Sequence, residues 1–234
     1  MIMADYLIRS GDAKRVLIIG TETLSRVCDP HDRDSMIYAD GAGATILEAY
    51  SIPLEMKDMP DGSMCSTSKV SDKSVGIISH AVRSDTIDHS NLLWMGSSYN
   101  PNYPSNDLFL KMNGNALYKY ALRYVPGILK QALDKAGLHL SDVSKLCIHQ
   151  ANEKMDYAIL EEICKIYDTK EIPWNIMPMT INEFGNSSVA TIPTLLDLIL
   201  KGNLEGHNFK SGYIIVFASV GAGMNINVVV YRVP

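Results

Sequence analysis

Tyr213-Ile214-Ile215-Val216, followed by Gly221-Ala222-Gly223-Met224-Asn225-Ile226-Asn227, decides the fold, because the same pattern stands near the front of the chain. There Val16-Leu17-Ile18-Ile19 is followed by Gly41-Ala42-Gly43-Ala44-Thr45-Ile46-Leu47. In each copy a continuous apolar run, the signature of a strand buried on both faces, leads into a glycine turn and a second strand. The first copy carries a longer insert before its glycines, with the polar stretch Asp29-Pro30-His31-Asp32-Arg33-Asp34 inside it. An echo of this kind implies two homologous halves. Only Ala4 to Gly11 stands before the first copy, and it reads as the last turns of a helix closed by a glycine. The first half is therefore expected to be incomplete at its front.

Working outward from the second copy, Leu117, Tyr120, Ala121, Tyr124, Val125, Ile128, Leu129, Ala132, Leu133 and Ala136 recur at spacings of three and four, which predicts a long helix from 115 to 136. Pro126 is expected to kink or restart it. Lys145 to Ile148 reads as a short strand, and Glu153 to Tyr167 as an amphipathic helix through Met155, Ile159, Ile163 and Ile166. Ser187 to Lys201 reads as another helix with Gly202 as its stop, and Val75 to His80, Tyr213 to Ala218 and Asn225 to Arg232 as strands. Residues 53 to 74 suggest an exposed connection, and 91 to 115, rich in Asn, Pro, Ser, Gly and Tyr, a long ordered surface excursion. The order implies an α/β protein with a mixed sheet covered on both faces.

With 47% hydrophobic and 20% charged residues over 234 positions, the composition excludes disorder and fibrous repeats. No run approaches the about 20 apolar residues of a membrane span. A net charge of -5, from 21 basic residues scattered among 26 acidic ones, argues against a nucleic-acid partner. Met1 to Asp5 lacks the pattern of a signal peptide, so a cytoplasmic location is expected. Cys28, Cys65, Cys147 and Cys164 form no CxxC pair and have no His at zinc spacing, so neither a disulfide framework nor a structural metal is expected.

Three segments combine into a chemical proposition. His149-Gln150-Ala151-Asn152 sits where a strand hands over to a helix, the usual place for a functional side chain in an α/β sheet, although a helix cap accounts for the histidine equally. In Phe184-Gly185-Asn186-Ser187-Ser188 the glycine permits an unusual backbone, and Asn186 or Ser187 also suits an N-cap. The Gly221-Ala222-Gly223 turn lets backbone N–H groups approach a ligand, or simply joins two strands. Together an imidazole, a carboxamide and a glycine turn make a donor-rich pocket for a carbonyl oxygen that becomes an enolate or alkoxide.

In these residues the chain resembles the beta-ketoacyl-acyl-carrier-protein synthase III family of thiolase-like condensing enzymes, over nearly its whole length. The resemblance rests on Ser25-Arg26-Val27-Cys28-Asp29-Pro30 with Asp32-Arg33, on Asp40-Gly41-Ala42-Gly43-Ala44, on Met112-Asn113-Gly114-Asn115, and on the three segments just described, all in family order. It implies a thiolase-like α/β fold of two related halves, each a mixed five-stranded sheet layered with helices, with the N-terminal half incomplete. Residues 1–50 would be the remnant of that half, 51–112 a connecting segment and the start of the C-terminal half, and 113–234 the C-terminal half proper.

The resemblance further implies an acyltransferase of fatty-acid or related lipid biosynthesis, joining an acyl group from coenzyme A to malonyl-acyl-carrier protein by decarboxylative Claisen condensation. His149 and Asn186 match two members of a Cys-His-Asn triad, whose carboxamide and imidazole N–H groups donate to the enolate. Gly221, Ala222 and Gly223 match the oxyanion loop, with an alanine at its centre. Arg33 matches an arginine that lies against the coenzyme A adenine, while Asn115 and Asn152 match contacts to the pantetheine arm. Lys154 stands where the family often has an arginine for the acidic carrier protein, keeping the charge without the fork. No cofactor is implied beyond the coenzyme A and phosphopantetheine thioesters, and the expected partners are acyl carrier protein and a second synthase subunit.

The nucleophile departs from the pattern, since the family's cysteine would lie within about two helical turns before Met1. Cys28 belongs to a motif away from the site, Cys65 to a loop and Cys164 to a helix, and Cys147 is expected to point to the opposite side of the strand from His149. The readings that follow are the C-terminal two thirds of a condensing enzyme, a non-catalytic subunit that pairs with an intact synthase, and a fragment of a longer reading frame.

Overall fold

The computed structural model describes residues 1–49, 55–58, 64–67 and 75–234. The chain enters through a short helix, α1 (Ile2–Arg9), whose C-terminal carbonyls are taken by the N–H groups of Ser10 and Gly11. Gly11 then adopts a left-handed φ of 85°, the conformation a glycine stop supplies. Strands β1 (Arg15–Thr23) and β2 (Asp40–Glu48) follow as an antiparallel ladder, and β3 (Glu55–Asp58) pairs with β4 (Met64–Thr67). Cys65 therefore lies on a short strand rather than in a loop; the rest of the connection expected over 53 to 74 lies outside the described residues.

β5 (Gly76–Ser84), a one-turn helix α2 (Thr86–His89), β6 (Leu93–Gly96) and β7 (Phe109–Met112) lead to the long helix α3 (Gly114–Lys135). Asn113 caps α3 by accepting from the Ala116 N–H. The helix runs through Pro126 without interruption, because its apolar stripe from Leu117 to Leu133 is buried on both sides of the proline and packing outweighs the one lost backbone bond. Next come β8 (Val143–Ile148), α4 (Glu153–Ile166), a one-turn α5 (Ile181–Phe184), α6 (Thr191–Leu200), β9 (Ile214–Gly221) and β10 (Asn225–Arg232). The helix expected from Ser187 begins as a 3-10 turn over Ser188–Ala190 and becomes α-helical only at Thr191.

The main sheet has the order β5-β10-β9-β8, with β8 and β9 parallel and the other neighbours antiparallel. It is mixed, as expected, but among the described residues it holds four strands rather than five, and β1–β2 stands as a separate two-stranded ladder. Leu146, Ile148, Val216, Ala218, Ile226, Val228 and Val230 face α3 and α4. Cys147, Ile215, Phe217 and Val229 face α6 through Leu195 and Ile199. The period of two along each strand divides one apolar run between two cores.

The β1–β2 ladder departs from the expectation of burial on both faces. Its inner face lies against the segment leading into α6, so tightly that a Cβ at Gly41 would stand 2.8 Å from the Ser187 Cβ, and one at Gly43 2.7 Å from the Pro193 ring. Glycine at these positions is what lets the segment approach. Its outer face carries Leu17, Ile19 and Ile46, which are 57%, 62% and 60% exposed. A sheet is buried on two sides only when two layers cover it, and here one does.

Residues 91 to 115 are more than a surface excursion. β6 and β7 form a hairpin, and Lys111 in β7 is buried with its Nζ 2.5 Å from Asp29 Oδ2. Asp29 also accepts from the His31 and Tyr99 N–H groups and the Ser98 hydroxyl, and the Tyr99 ring lies 3.6 Å from the lysine Nζ. These donors hold the Asp29 carboxyl well below the usual carboxylate range despite burial, which acts the other way and is the largest influence. The network ties the loop after β1 to the β6–β7 hairpin.

Candidate active site

At the C-terminal end of β8, His149 donates its backbone N–H to the Ala218 carbonyl of β9 at 2.8 Å, which fixes the main chain where the strand hands over to α4. Gln150 turns inward and is fully buried, accepting from the Thr180 N–H and donating to the Pro178 carbonyl. Asn152 caps α4, its Oδ1 accepting from the Met155 N–H. The cap is thus Asn152, and His149 is left to face a cavity.

Asn186 arrives from the opposite direction. Gly185, with φ 64°, breaks α5, and Asn186 exchanges backbone bonds with Ile37 (2.8 Å) and Ala39 (2.9 Å) beside β2. Its Oδ1 accepts from the Ser188 N–H at 2.9 Å, so the carboxamide presents Nδ2, a donor, toward the cavity. The side chain caps no helix and is 9% exposed.

Ser188 lines the cavity beside Asn186. It is one of two non-glycine residues at positive φ among the described residues, at 53°, and Thr191 Oγ1 donates to its carbonyl at 2.8 Å. Burial pushes the His149 imidazole down to about 4, opposed by a hydrogen bond to the Ser188 backbone. A neutral imidazole has one N–H and one acceptor nitrogen, so the ring can offer one donor when neutral and two when protonated.

His149, Asn186, Ser188, Gly221, Ala222 and Met224 line one cavity of about 870 Å³, whose remaining walls are mostly apolar, with Leu93, Met95, Met112, Leu196 and Phe217, and also hold Glu22, Ser219, Asn225 and Asn227. Gly223 turns the chain behind this wall with φ 127° and does not line it. The arrangement supplies a carboxamide donor, an imidazole and a glycine-rich backbone turn in a largely apolar chamber, a setting in which donors aimed at a developing oxyanion act strongly. Arg33, Asn115, Asn152 and Lys154 are exposed and do not line it.

Cys147 corrects one expectation. Residues two apart on a strand share a face, and Cys147 packs on the α6 side with Phe217, which itself lines the cavity containing His149. It is fully buried, and burial pushes its thiol up to about 12, which leaves it a packing residue rather than a nucleophile. Cys28 and Cys164 do not line the cavity either. Sequence reasoning missed Ser188 in the cavity wall, since nothing in a serine's neighbours signals a left-handed backbone. Lys111, a charge inside Leu108-Phe109-Leu110-Lys111-Met112, could have been flagged as a buried pair in need of an acid.

Comparison with known proteins bears on this geometry. Residues 1–57 match the family model described as 3-Oxoacyl-[acyl-carrier-protein (ACP)] synthase III, and residues 133–233 match the model of its C terminal part. The beta-ketoacyl-[acyl-carrier-protein] synthase III of Rhodobacter capsulatus is 34% identical over 230 residues, and that of Paracoccus denitrificans 33%; each match covers 98% of this chain and 62% of the relative. Among solved structures, 3-oxoacyl-(acyl carrier protein) synthase III from Pseudomonas aeruginosa PAO1 superposes with a TM-score of 0.74 at 26% identity, over 98% of this chain and 61% of that one. The corresponding protein from Aquifex aeolicus VF5 gives 0.73 at 26%, over 99% and 62%. The chain thus spans 62% of the length of the curated relatives it matches.

Proposed function

The chain belongs to the 3-oxoacyl-[acyl-carrier-protein] synthase III family of thiolase-like condensing enzymes, and from that premise we propose that its cavity holds a malonyl thioester and carries the decarboxylating half of a Claisen condensation. The observation that supports this is that His149, Asn186 and the Gly221–Ala222 turn line one largely apolar chamber, with Ser188 bonded to Asn186 among them. The C–C bond to the malonyl carboxylate breaks, its electron pair becomes the enolate, and carbon dioxide leaves. Asn186 Nδ2 donates to the thioester oxygen throughout. His149 adds a second donor through its ring N–H. In the complete reaction the enolate carbon attacks the carbonyl of an acyl thioester derived from acyl coenzyme A, the C–S bond breaks and its thiolate leaves, giving a 3-oxoacyl-acyl-carrier protein; without an acyl donor the enolate takes a proton and leaves an acetyl thioester.

The exposed residues fit the same reading from outside the chamber. Arg33 and the exposed Asn115 and Asn152 would hold the nucleotide and pantetheine arm, and Lys154 the acidic carrier protein. Assembly as a homodimer or with a related synthase, in the cytoplasm, belongs to this proposal. The second reading, a non-catalytic subunit beside an intact synthase, is favoured by the absence of any cavity-lining thiol among the described cysteines.

Two measurements test the proposal. The purified chain incubated with acyl coenzyme A should show no acyl adduct by intact mass, and a stoichiometric adduct would overturn the assignment of the cysteines. Malonyl-acyl-carrier protein should be converted to the acetyl form, with the rate falling about a hundredfold in Asn186→Ala and in His149→Ala. A rate unchanged in both variants would remove the site from the reaction.

A further inference from the structure

The wall of the chamber formed by Gly221, Ala222 and Met224 is held from behind by a cluster that touches no part of the cavity. The β5–β10 ladder ends at the Ser84 and Asn225 pair, yet one more bond continues beyond it: the Asp85 N–H donates to the Met224 carbonyl at 2.9 Å. Asp85 is in turn pinned by its side chain. Its Oδ2 accepts from Arg83 Nε at 2.5 Å and from the Tyr120 hydroxyl at 2.7 Å, and its Oδ1 accepts from Arg83 Nη2 at 2.9 Å. Such a fork fixes orientation as well as distance. The Arg83 guanidinium lies 4.1 Å from the centre of the Tyr124 ring, and the His89 ring meets Tyr120 edge-on at 5.1 Å. Tyr120 itself is buried in α3.

The turn is closed by the last pair of the β9–β10 ladder, Gly221 and Asn225, and by a bond from the Asn225 carboxamide to the Ala222 carbonyl at 2.8 Å, while Gly221 and Ala222 are themselves exposed. On the β5 side it is the bond from the Asp85 N–H that holds Met224. A backbone N–H acts on a developing oxyanion only if it is aimed before the charge appears, and a displacement of about 1 Å can cost roughly a hundredfold in rate.

We propose that Asp85, locked by Arg83 and Tyr120, is a positioning residue that sets the place of the Gly221–Met224 turn and hence of the backbone donors facing the substrate. The inference rests on the reading of the chamber as a decarboxylating site. It assigns a role in that chemistry to a cluster on β5 and α3 that none of the cavity residues contains.

The test compares Asp85→Asn, Tyr120→Phe and the surface variant Lys130→Ala in the full chain. Asp85→Asn weakens the fork and keeps the backbone N–H; if it does not fold, Tyr120→Phe removes one of the three side-chain bonds in its place. Decarboxylation of malonyl-acyl-carrier protein should lose roughly tenfold in kcat with KM within about twofold, while Lys130→Ala behaves as the parent protein. In ¹⁵N spectra the amides of Gly221, Ala222 and Gly223 should shift and the Asp85 amide should exchange about tenfold faster, with Gly41 and Gly43 unmoved. Unchanged amides at 221–223 in a folded variant would overturn the proposal whatever the activity. An unchanged kcat would do the same where His149→Ala abolishes turnover. If His149→Ala leaves turnover intact, the reading of the chamber fails instead, and the amide shifts alone decide the positioning role.

Discussion

The β1–β2 ladder and the β9–β10 hairpin are two renderings of one local pattern with opposite outcomes. In the second, Val216, Val228 and Val230 are fully buried, because β5 and β8 flank the hairpin, α3 and α4 cover one face and α6 covers the other. In the first, equivalent apolar positions stand alternately in and out, with Leu17, Ile19 and Ile46 more than half exposed. The strand itself needs only β-branched and aliphatic residues at successive positions, whereas its burial depends on what the rest of the molecule places beside it. A ladder covered on one face contributes less to stability and relies on ties elsewhere. Here the ties are the close approach at Gly41 and Gly43 and the buried Lys111–Asp29 pair.

Breaking that pair should have the largest effect. Lys111→Met leaves the Asp29 carboxylate buried without its cation, and the variant should lose about 3–5 kcal/mol of stability in urea titration. A loss below about 1 kcal/mol would show that the first region does not depend on this tie. The comparison between the hairpins sharpens next: Ile226→Ala should cost about 2–4 kcal/mol, and Ile19→Ala less than about 1 kcal/mol. Equal losses would mean that the outer face of β1 is covered in solution.

The smallest effect concerns a group in the well-covered region. Asp156 in α4 is fully buried and neither carboxylate oxygen has a partner among the described residues. Burial pushes its carboxyl up to about 8, with Glu153 adding to the shift. A folded pKa raised above the unfolded value makes the group's contribution favourable below about pH 4, and that contribution is lost as pH rises toward 8. Asp156→Leu should therefore raise the Tm, by a few degrees at pH 5.5 and by more at pH 8. A gain independent of pH would show that the carboxyl finds a partner in solution.

His149 and Asn186 each read in the sequence as capping or chemistry, and the glycine turn as a strand connection or chemistry; the three segments in one order point to a single pocket, and residues of all three line the same cavity. The ambiguity itself was a matter of side-chain direction: Asn152 rather than His149 caps α4, and Asn186 bonds Ser188 rather than a helix end. Cys147 was misplaced by an error of strand geometry, since a spacing of two returns a side chain to the same face.

The sequence by itself determined the alternation of strands and helices, the repeated hairpin and the residue types that line the chamber, which follow from periodicity and local chemistry that a linear chain carries in full, and its motifs carried the resemblance that named the family. Only the tertiary structure decided which face of β1 is covered, that Lys111 meets Asp29, that His149 and Asn186 line one cavity, and that Asp85 stands behind the turn at Met224. These contacts join residues from different elements, most of them dozens of positions apart, and the direction in which a side chain or carbonyl points is set by packing between elements rather than by its neighbours in sequence.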